Sequence, residues 1–118
     1  MKIAGTVVWY NPNDENIENI KTYIDYVERL YIIDNSKKNN KKLSEKLNNK
    51  KIEYIYNNGK NLGISSALNL ACKKAKKEDF SWILTMDQDS SFDSENIKEY
   101  FKRLEYYDLW EGDKRIAV

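Results

Sequence analysis

Short apolar runs alternate along this chain with segments in which apolar residues recur every three or four positions. The runs are bounded by turn-forming polar residues and have the length of buried strands. In chain order they lie at residues 2–10, 30–33, 52–56 and 82–86, and a further run opens at 116–118. Strands that alternate with helices through short connections are typical of a parallel sheet covered on both faces. The sequence therefore predicts a doubly wound α/β domain with right-handed crossovers.

The helical segments are placed by their apolar spacing and by their caps. Asp14 is expected to be the N-cap of the first helix, which the apolar spacing extends to Val27. Its apolar positions are Ile17, Ile20, Ile24 and Val27. A short helix is predicted within 41–48 and a longer one over 63–75, and Ser94 is expected to cap a last helix.

Composition excludes several kinds of chemistry. The 118 residues fit one domain and contain no histidine, which excludes imidazole-based zinc sites and nucleophiles activated by histidine. The single cysteine, Cys72, excludes an internal disulfide, fits a reducing compartment, and is expected to pack as a small apolar side chain. No apolar run in the sequence approaches the ~20 residues of a membrane span. We therefore expect a cytoplasmic domain.

The charge pattern gives no indication of a nucleic-acid partner. The sequence has 20 Lys and Arg residues against 19 Asp and Glu, and its net charge of +1 creates no strong overall field. Two lysine-rich stretches, 37–51 and 73–77, could touch nucleic acid or a membrane surface. They lack the interleaved aromatic rings of a single-strand-binding groove. We interpret both as solvated faces and expect no nucleic-acid partner.

Polar residues follow each predicted strand at the point where it ends. The four groups are Tyr10-Asn11-Pro12, Asp34-Asn35-Ser36, the loop 57–63, and Asp87-Gln88-Asp89. In open α/β sheets, ligands bind outside the carboxyl ends of the strands, where the strand order reverses. We therefore expect the functional site at this edge of the sheet.

Two interpretations of Asp87 and Asp89 stay open from position alone. Two carboxylates on one loop can hold a hard divalent cation, with a diphosphate supplying further oxygens. The same residues can form a solvated turn whose side chains cap the next segment.

Single residues at the other strand ends also allow two interpretations. Tyr10 could stack on a base, but the core is the expected place for a lone tyrosine. Asp34 could accept a hydrogen bond from a pyrimidine, although an Asx-turn with Ser36 is the simpler expectation. Gly59 and Gly63 could bring backbone close to a diphosphate at a helix N-terminus, or form a plain turn before the helix.

Four blocks of sequence carry a resemblance when they are taken in order. They are Val7-Val8-Trp9-Tyr10-Asn11-Pro12, Leu30-Tyr31-Ile32-Ile33-Asp34-Asn35-Ser36, Asn61-Leu62-Gly63-Ile64-Ser65-Ser66-Ala67-Leu68-Asn69, and Leu84-Thr85-Met86-Asp87-Gln88-Asp89-Ser90. Together they resemble the nucleotide-sugar-binding half of family 2 glycosyltransferases, which have a Rossmann-like GT-A fold. The form Asp-Gln-Asp-Ser is similar to the subgroup called rhamnosyltransferases.

The resemblance implies roles for particular residues. Tyr10 would flank the base, Asp34 would read the pyrimidine edge, and Asp89 with Asp87 would hold Mn²⁺ or Mg²⁺. The full set implied to bind the nucleotide sugar is Val8, Tyr10, Asn11, Asp34, Asn35, Asn61, Gly63, Asn69, Asp87 and Gln88. The donor would be dTDP-rhamnose or a UDP-sugar, transferred with inversion to a glycan acceptor in bacterial cell-surface polysaccharide synthesis.

The family pattern also implies parts that these residues do not supply. The general base is expected beyond Val118, because Asp93, Glu95 and Glu99 read as helix-surface charges. Residues 1–118 would then be the donor part, without the acceptor part, working in the cytoplasm or at the inner face of the membrane. An uncovered sheet edge and face would favour a homodimer.

Two other classes of function stay open. One is a nucleotide-binding module without transfer activity. The other is a flavodoxin-like signalling domain, which would want acidic residues where the first strand ends in Tyr10-Asn11.

Overall fold

The strands of the domain all run in the same direction. A computed structural model describes the backbone of residues 2–111 and 115–117 and the side chains of residues 2–105. The strands in the described residues are β1 (Ile3–Trp9), β2 (Arg29–Asp34), β3 (Ile52–Tyr56), β4 (Trp82–Met86) and β5 (Arg115–Ala117). The α-helices are α1 (Asp14–Lys21), α2 (Lys41–Glu45), α3 (Gly63–Lys77) and α4 (Ser94–Glu111), and a 3₁₀ helix spans Ile24–Tyr26.

The sheet has the order β3-β2-β1-β4-β5, and every pair of neighbours is parallel. The predicted α/β class with a parallel sheet is therefore confirmed. From β1 the chain builds outward to β3 on one side, and it then returns to add β4 and β5 on the other. The strand order thus reverses between β1 and β4, where Val7 pairs with Met86. This is the switch point at which open α/β sheets bind ligands.

Alternate residues of each strand point to opposite faces of the sheet. One face packs against α1 and α4, and its buried residues include Val7, Trp9, Leu30, Ile32, Leu84, Ile17, Ile20, Ile97 and Phe101. The other face packs against α3, with Ala4, Tyr31, Ile33 and Ile83 buried. The expectation that one sheet face would stay uncovered is therefore wrong for the described residues, because both faces carry helices.

Helix α3 contacts the sheet through alanines. Ala67, Ala71 and Ala75 are buried one turn apart along the helix, and such small side chains let its backbone approach the strands closely. Cys72 is half-buried beside this stripe, as predicted for a small apolar side chain, and burial raises the pKa of its thiol. The close approach fixes where the N-terminus of α3 lies, and this end of the helix borders the site described below.

The helix caps lie one residue before the predicted ones. Asn13 is the N-cap of α1, and it forms a capping box with Asn16, so Asp14 is the first helical residue instead of the cap. Similarly, Asp93 Oδ1 accepts from the backbone N–H of Glu95 and Asn96, at 2.9 and 3.1 Å, so Ser94 is not the cap of α4.

The first helix is also shorter than predicted. It ends at Lys21, because the Thr22 hydroxyl and backbone N–H both donate to the Asn19 carbonyl, at 2.6 and 3.2 Å, and tighten the last turn. Ile24 and Val27 are buried as the apolar pattern predicts, but they lie in the 3₁₀ helix and just after it. The predicted fifth strand begins at Arg115, and Val118 lies outside the described residues. In the described part of the chain, none of the helices combines the length and apolar character that crossing a bilayer demands.

Candidate functional site

A cleft of about 650 Å³ opens at the carboxyl ends of β1 and β4, at the switch point of the sheet. Residues from all four loops at this edge and from the first turns of α3 contribute to it. The lining residues are Val8, Tyr10, Asn35, Asn61, Gly63, Ile64, Leu68, Thr85, Met86, Asp87, Gln88, Asp89 and Ser90. The expected place of the site, the edge where the strands end, agrees with this cleft.

Strand alternation explains which side chains reach the cleft. Val8 and Tyr10 share the α3 face with Ala4 on β1, and Thr85 shares it with Ile83 on β4. Continuing the alternation by one step places Asp87 on the same side. The cleft is therefore an extension of the α3 side of the sheet beyond the strand ends.

The structure brings most of the predicted binding residues together. Val8, Tyr10, Asn35, Asn61, Gly63, Asp87, Gln88 and Asp89 all line the cleft. Three others are elsewhere: Asn11 follows Tyr10 and is exposed, Asp34 points to the opposite face of the sheet, and Asn69 is exposed on α3. Thr85, Ser90 and the apolar residues Ile64, Leu68 and Met86 line the cleft without having been predicted.

Tyr10 is 55% exposed at the mouth of the cleft, so the expectation that it lies in the core is wrong. It follows the last residue of β1, and its backbone is bound to Gln88. The Tyr10 N–H donates to Gln88 Oε1 at 2.7 Å, and Gln88 Nε2 donates to the Tyr10 carbonyl at 3.2 Å. Because the phenol ring is exposed, it is available to stack on a flat ligand.

Asp34 is fully buried, and its carboxylate is occupied by the protein itself. Oδ1 accepts from the Ser36 N–H at 2.9 Å, which confirms the expected Asx-turn. Oδ2 accepts from the backbone N–H and the side-chain amide of Asn40, at 3.2 and 3.0 Å, and from the Tyr54 hydroxyl. Burial, and next the hydrogen bond to Asp34, raise the pKa of Tyr54.

The loops after β2 and β3 form the wall of the cleft beside α3. Asn35 is 2% exposed, and its Nδ2 donates to the Gly63 carbonyl at 3.2 Å. Asn61 Oδ1 accepts from the Gly63 N–H at 3.0 Å. Gly63 has φ +82°, a left-handed conformation in which a side chain is strained. The turn into α3 therefore depends on glycine, a requirement that both interpretations of Gly63 share.

The loop Asp87–Asp89 is held by α1. Asn16, which is buried, donates through Nδ2 to the Gln88 carbonyl and to Asp89 Oδ1, both at 3.3 Å. Asn19 Nδ2 also donates to the Gln88 carbonyl at 3.3 Å. Sequence analysis missed Asn16 as a site residue. The available signal was a polar residue, Asn16, on the apolar side of the predicted helix, between Asn13 and Ile17.

A model of glycosyl transferase family 2 matches residues 14–109, more than three quarters of the chain. The chain belongs to glycosyl transferase family 2. The match includes Asp34, Asn61, Asp87 and Asp89, whereas β1 and Tyr10 precede it. A search of curated proteins found no match. A search of solved structures found none either.

The cleft of this glycosyltransferase domain offers oxygen ligands suited to a divalent cation. Asp87 and Asp89 are exposed on one loop, and carboxylates are the ligands that Mg²⁺ and Mn²⁺ prefer. Among the described residues, no three acidic or thiol side chains come together as a metal cage. The donor set therefore fits a cation that shares its coordination with a bound phosphate ligand, as Mg²⁺ sites commonly do.

Most lysines of the two lysine-rich stretches are exposed, as the solvated-face interpretation predicts, but Lys51 and Lys74 are half-buried. Lys37, Lys38, Lys41 and Lys42 are exposed, and Lys46 makes an ion pair with Asp14 at 2.6 Å. Lys74 Nζ makes an ion pair with Glu53 Oε2 at 2.6 Å.

Proposed function

We propose that this domain binds a nucleoside-diphosphate sugar in the cleft between β1, β4 and α3 and takes part in its transfer to a glycan acceptor. The observation that carries the proposal is that two findings concern the same loop, Asp87–Asp89. The family match covers the Asp87–Asp89 loop, and this loop lies at the switch point where α/β sheets bind nucleotides. The donor is dTDP-rhamnose or a UDP-sugar, and the pathway is bacterial cell-surface polysaccharide synthesis.

The cleft supports a definite orientation of the donor. The exposed ring of Tyr10 and the side chain of Ile64 offer apolar contact to a base. The diphosphate lies towards Asp87, Asp89 and Gly63, where α3 begins and its dipole favours negative charge. A Mn²⁺ or Mg²⁺ held by Asp87 and Asp89 supplies charge neutralisation for the departing diphosphate.

In the transfer reaction, the acceptor hydroxyl oxygen forms a bond to the anomeric carbon of the sugar. The bond from this carbon to the diphosphate oxygen breaks, the nucleoside diphosphate leaves with the electron pair, and inversion follows from attack opposite the leaving group. A general base takes the hydroxyl proton. Both carboxylates that line the described cleft, Asp87 and Asp89, are assigned to the cation, so the base is not one of them. We place it beyond residue 118, as the family resemblance implies.

A nucleotide-binding module without transfer activity is the second candidate. The assignment of both cleft carboxylates to the cation favours it, because donor binding needs no further acid or base. Within either proposal, residues 1–118 form the donor part, and the protein works in the cytoplasm or at the inner face of the membrane.

The proposal is tested by the thermal stability of the protein with dTDP, UDP, GDP or ADP, each with and without Mn²⁺. A ligand that binds only the folded state, at 100 times its Kd, stabilises it by about 2.7 kcal/mol. We expect stabilisation by dTDP or UDP that requires Mn²⁺ and is lost in Asp89→Asn.

A matched control is Glu95→Gln, which removes an exposed carboxylate that does not line the cleft. It should leave the Mn²⁺-dependent shift unchanged. The absence of a shift with any nucleotide, or an equal shift in Asp89→Asn, would reject the donor site. Incubation of a UDP- or dTDP-sugar with an acceptor extract then separates the transferase from the binding module by release of free nucleoside diphosphate.

A further inference from the structure

The edge of the sheet that carries the cleft is divided in its charge. On the side of β4 it bears the two aspartates of the cleft, whereas the loops after β2 and β3 bear Lys37, Lys38 and Lys60, all exposed. Neither residues 35–44 nor residues 54–77 include an acidic residue. Among the described residues, none of these three lysines makes an ion pair. The β2 and β3 half of the edge therefore presents positive charge that the protein itself does not neutralise.

The loops after β2 and β3 pack on each other, which brings their lysines onto one surface. The Tyr56 hydroxyl donates to the Lys37 carbonyl at 2.5 Å. A Cβ added at Gly59 would lie 3.2 Å from the same carbonyl oxygen, so the two loops are in close contact. Lys60 comes next in the chain, and its N–H donates to the Asn57 carbonyl at 3.0 Å. The charged side chains thus extend from two loops that support each other.

An exposed leucine lies two residues after Lys60. Leu62 is 56% exposed, and a ligand in the cleft would not cover it, because it is not among the residues that line the cleft. It is also the N-cap residue of α3, where its side chain makes no capping hydrogen bond. Ser, Thr, Asp and Asn are preferred at this position, so leucine gives the helix no local advantage. A residue that breaks a local rule without a local gain indicates a functional contact.

The position of Leu62 is fixed by its neighbours on both sides. Asn61 Oδ1 accepts from the Gly63 N–H at 3.0 Å, and the Gly63 carbonyl accepts from Asn35 Nδ2 at 3.2 Å. Ile64, which is 62% exposed, adds a second apolar side chain at the rim of the cleft. The protein therefore holds apolar side chains in water next to a group of unpaired lysines.

This combination fits the surface of an anionic bilayer. Anionic headgroups attract the lysines, and an apolar side chain enters the boundary between headgroups and acyl chains. An acidic polysaccharide or a nucleic acid would satisfy the lysines but would leave Leu62 in water. Exposure of the lysines alone fits a solvated face, and Leu62 is the observation that favours a membrane.

We propose that Lys37, Lys38, Lys60 and Leu62 dock the domain reversibly on an anionic membrane surface. The docking itself does not depend on nucleotide binding. Its consequence rests on the proposed function: the mouth of the cleft, which Ile64 borders, opens beside the bilayer and towards a glycan acceptor that the membrane carries.

The test is sedimentation of the protein with vesicles of phosphatidylcholine alone or with about 30% phosphatidylglycerol, at low salt and at about 0.5 M salt. We expect binding to the anionic vesicles at low salt and little binding to the neutral ones. High salt should weaken the binding strongly, because it screens pairs of exposed charges.

Two variants separate the apolar contribution from the charged one. Leu62→Ser should weaken vesicle binding by about tenfold, because it removes most of the apolar contact. Its Tm should be unchanged or raised, since serine is a favoured N-cap residue. The triple variant Lys37→Gln/Lys38→Gln/Lys60→Gln should weaken binding by about a hundredfold, at about fivefold for each lysine.

The matched control is Lys73→Gln/Lys76→Gln/Lys77→Gln, which removes the same charge from exposed lysines at the other end of α3. This helix has 15 residues and is about 20 Å long, so these lysines lie more than a Debye length from Leu62. The control should keep binding within about twofold of the wild-type value.

Equal losses in the two triple variants would show attraction by overall charge and would overturn the inference. Unchanged vesicle binding in Leu62→Ser would overturn it too, because the surface would then bind polyanions without insertion. A dimer that forms without vesicles and is lost in Leu62→Ser would assign the surface to a second copy of the chain instead. Absence of vesicle binding while the Mn²⁺-dependent nucleotide shift persists would reject the docking and leave the proposed function intact. Vesicle binding without a nucleotide shift would do the reverse.

Discussion

Asn16 and Gln88 bind each other through reciprocal hydrogen bonds across 72 residues of sequence. Asn16 Nδ2 donates to the Gln88 carbonyl at 3.3 Å, and Gln88 Nε2 donates to Asn16 Oδ1 at 3.1 Å. The Gln88 side chain also hydrogen-bonds to both the backbone N–H and the carbonyl of Tyr10. One glutamine thus connects α1, the end of β1 and the Asp87–Asp89 loop.

Asn16→Ala should destabilise the fold and loosen the Asp87–Asp89 loop. The substitution removes a buried amide that donates to the Gln88 carbonyl and to Asp89 Oδ1 and accepts from Gln88 Nε2, at a cost of about 1–3 kcal/mol in the free energy of unfolding. Urea denaturation measures this loss, and the Mn²⁺-dependent nucleotide shift measures the effect on the loop. Asn13→Ala is the control, because it removes the Asn13 side-chain half of the capping box of α1, at about 1 kcal/mol, and the Gln88 hydrogen bonds described above do not involve Asn13. Equal effects of the two variants on the nucleotide shift would contradict a role of Asn16 in the loop.

Gly63→Ala should destabilise the turn into α3 through backbone strain alone. A Cβ added at this glycine meets no atom within 4 Å, but φ is +82°. A left-handed alanine costs about 1–2 kcal/mol. Gly63→Asn should cost less, since asparagine tolerates this region better. Thermal unfolding of both variants checks the order, and an asparagine variant as unstable as the alanine variant would refute the strain argument.

Stability should fall at alkaline pH because buried tyrosines resist ionisation. Burial raises the pKa of Tyr23, which is 1% exposed, above the value of about 10 that it has when unfolded. Above pH ~10 the unfolded chain therefore releases a proton that the folded chain retains, and the free energy of unfolding decreases by up to about 1.4 kcal/mol per pH unit for this group. Below that pH both states hold the proton, and the effect vanishes.

Tyr23→Phe should reduce this alkaline loss. Within the described residues the Tyr23 hydroxyl has no hydrogen-bond partner, so its removal should leave stability at pH 7 unchanged or increased. Urea denaturation between pH 7 and 11 measures both effects. Tyr10→Phe, at an exposed ring, should keep the wild-type profile. An unchanged pH profile in Tyr23→Phe would contradict the assignment.

Self-association should occur through the edge strand β3, which pairs with β2 on one side only in the described sheet. All five of its residues are partly exposed. Sedimentation velocity over a range of protein concentrations should show a dimer growing with concentration. A monodisperse monomer at high concentration would contradict this prediction.

The order and type of the main elements could be predicted from sequence because the hydrophobic period changes clearly from run to run. Ile24 and Val27 show the limit of that signal. Their spacing correctly predicts burial, but the Thr22 hydroxyl ends the helix before them. Asp14 and Ser94 were expected as caps, and the true caps, Asn13 and Asp93, are equally good capping residues one position earlier.

Sequence analysis predicted the loops of the candidate site and most of the named residues that line the cleft. It did not predict which strands are neighbours or which way each side chain points. The cleft depends on β1 and β4 being neighbours in the sheet, and no local sequence pattern encodes this pairing. Tyr10 was expected in the core because a lone aromatic residue carries no sign of its partner Gln88. The separate sides of Asp34 and Asn35 could have been predicted, since strand alternation alone places them apart.

The pairing of β1 with β4 also sets the order of events as the chain leaves the ribosome. Ile3 pairs with Trp82, so β1 emerges long before its second neighbour, while β2 and β3 follow it closely. Contacts that close so long a loop form late. One wall of the cleft therefore exists only after residues 82–89 have been synthesised. The proposed nucleotide binding then reports the addition of β4 to the sheet, and a ligand present during synthesis can stabilise only chains that have passed this point.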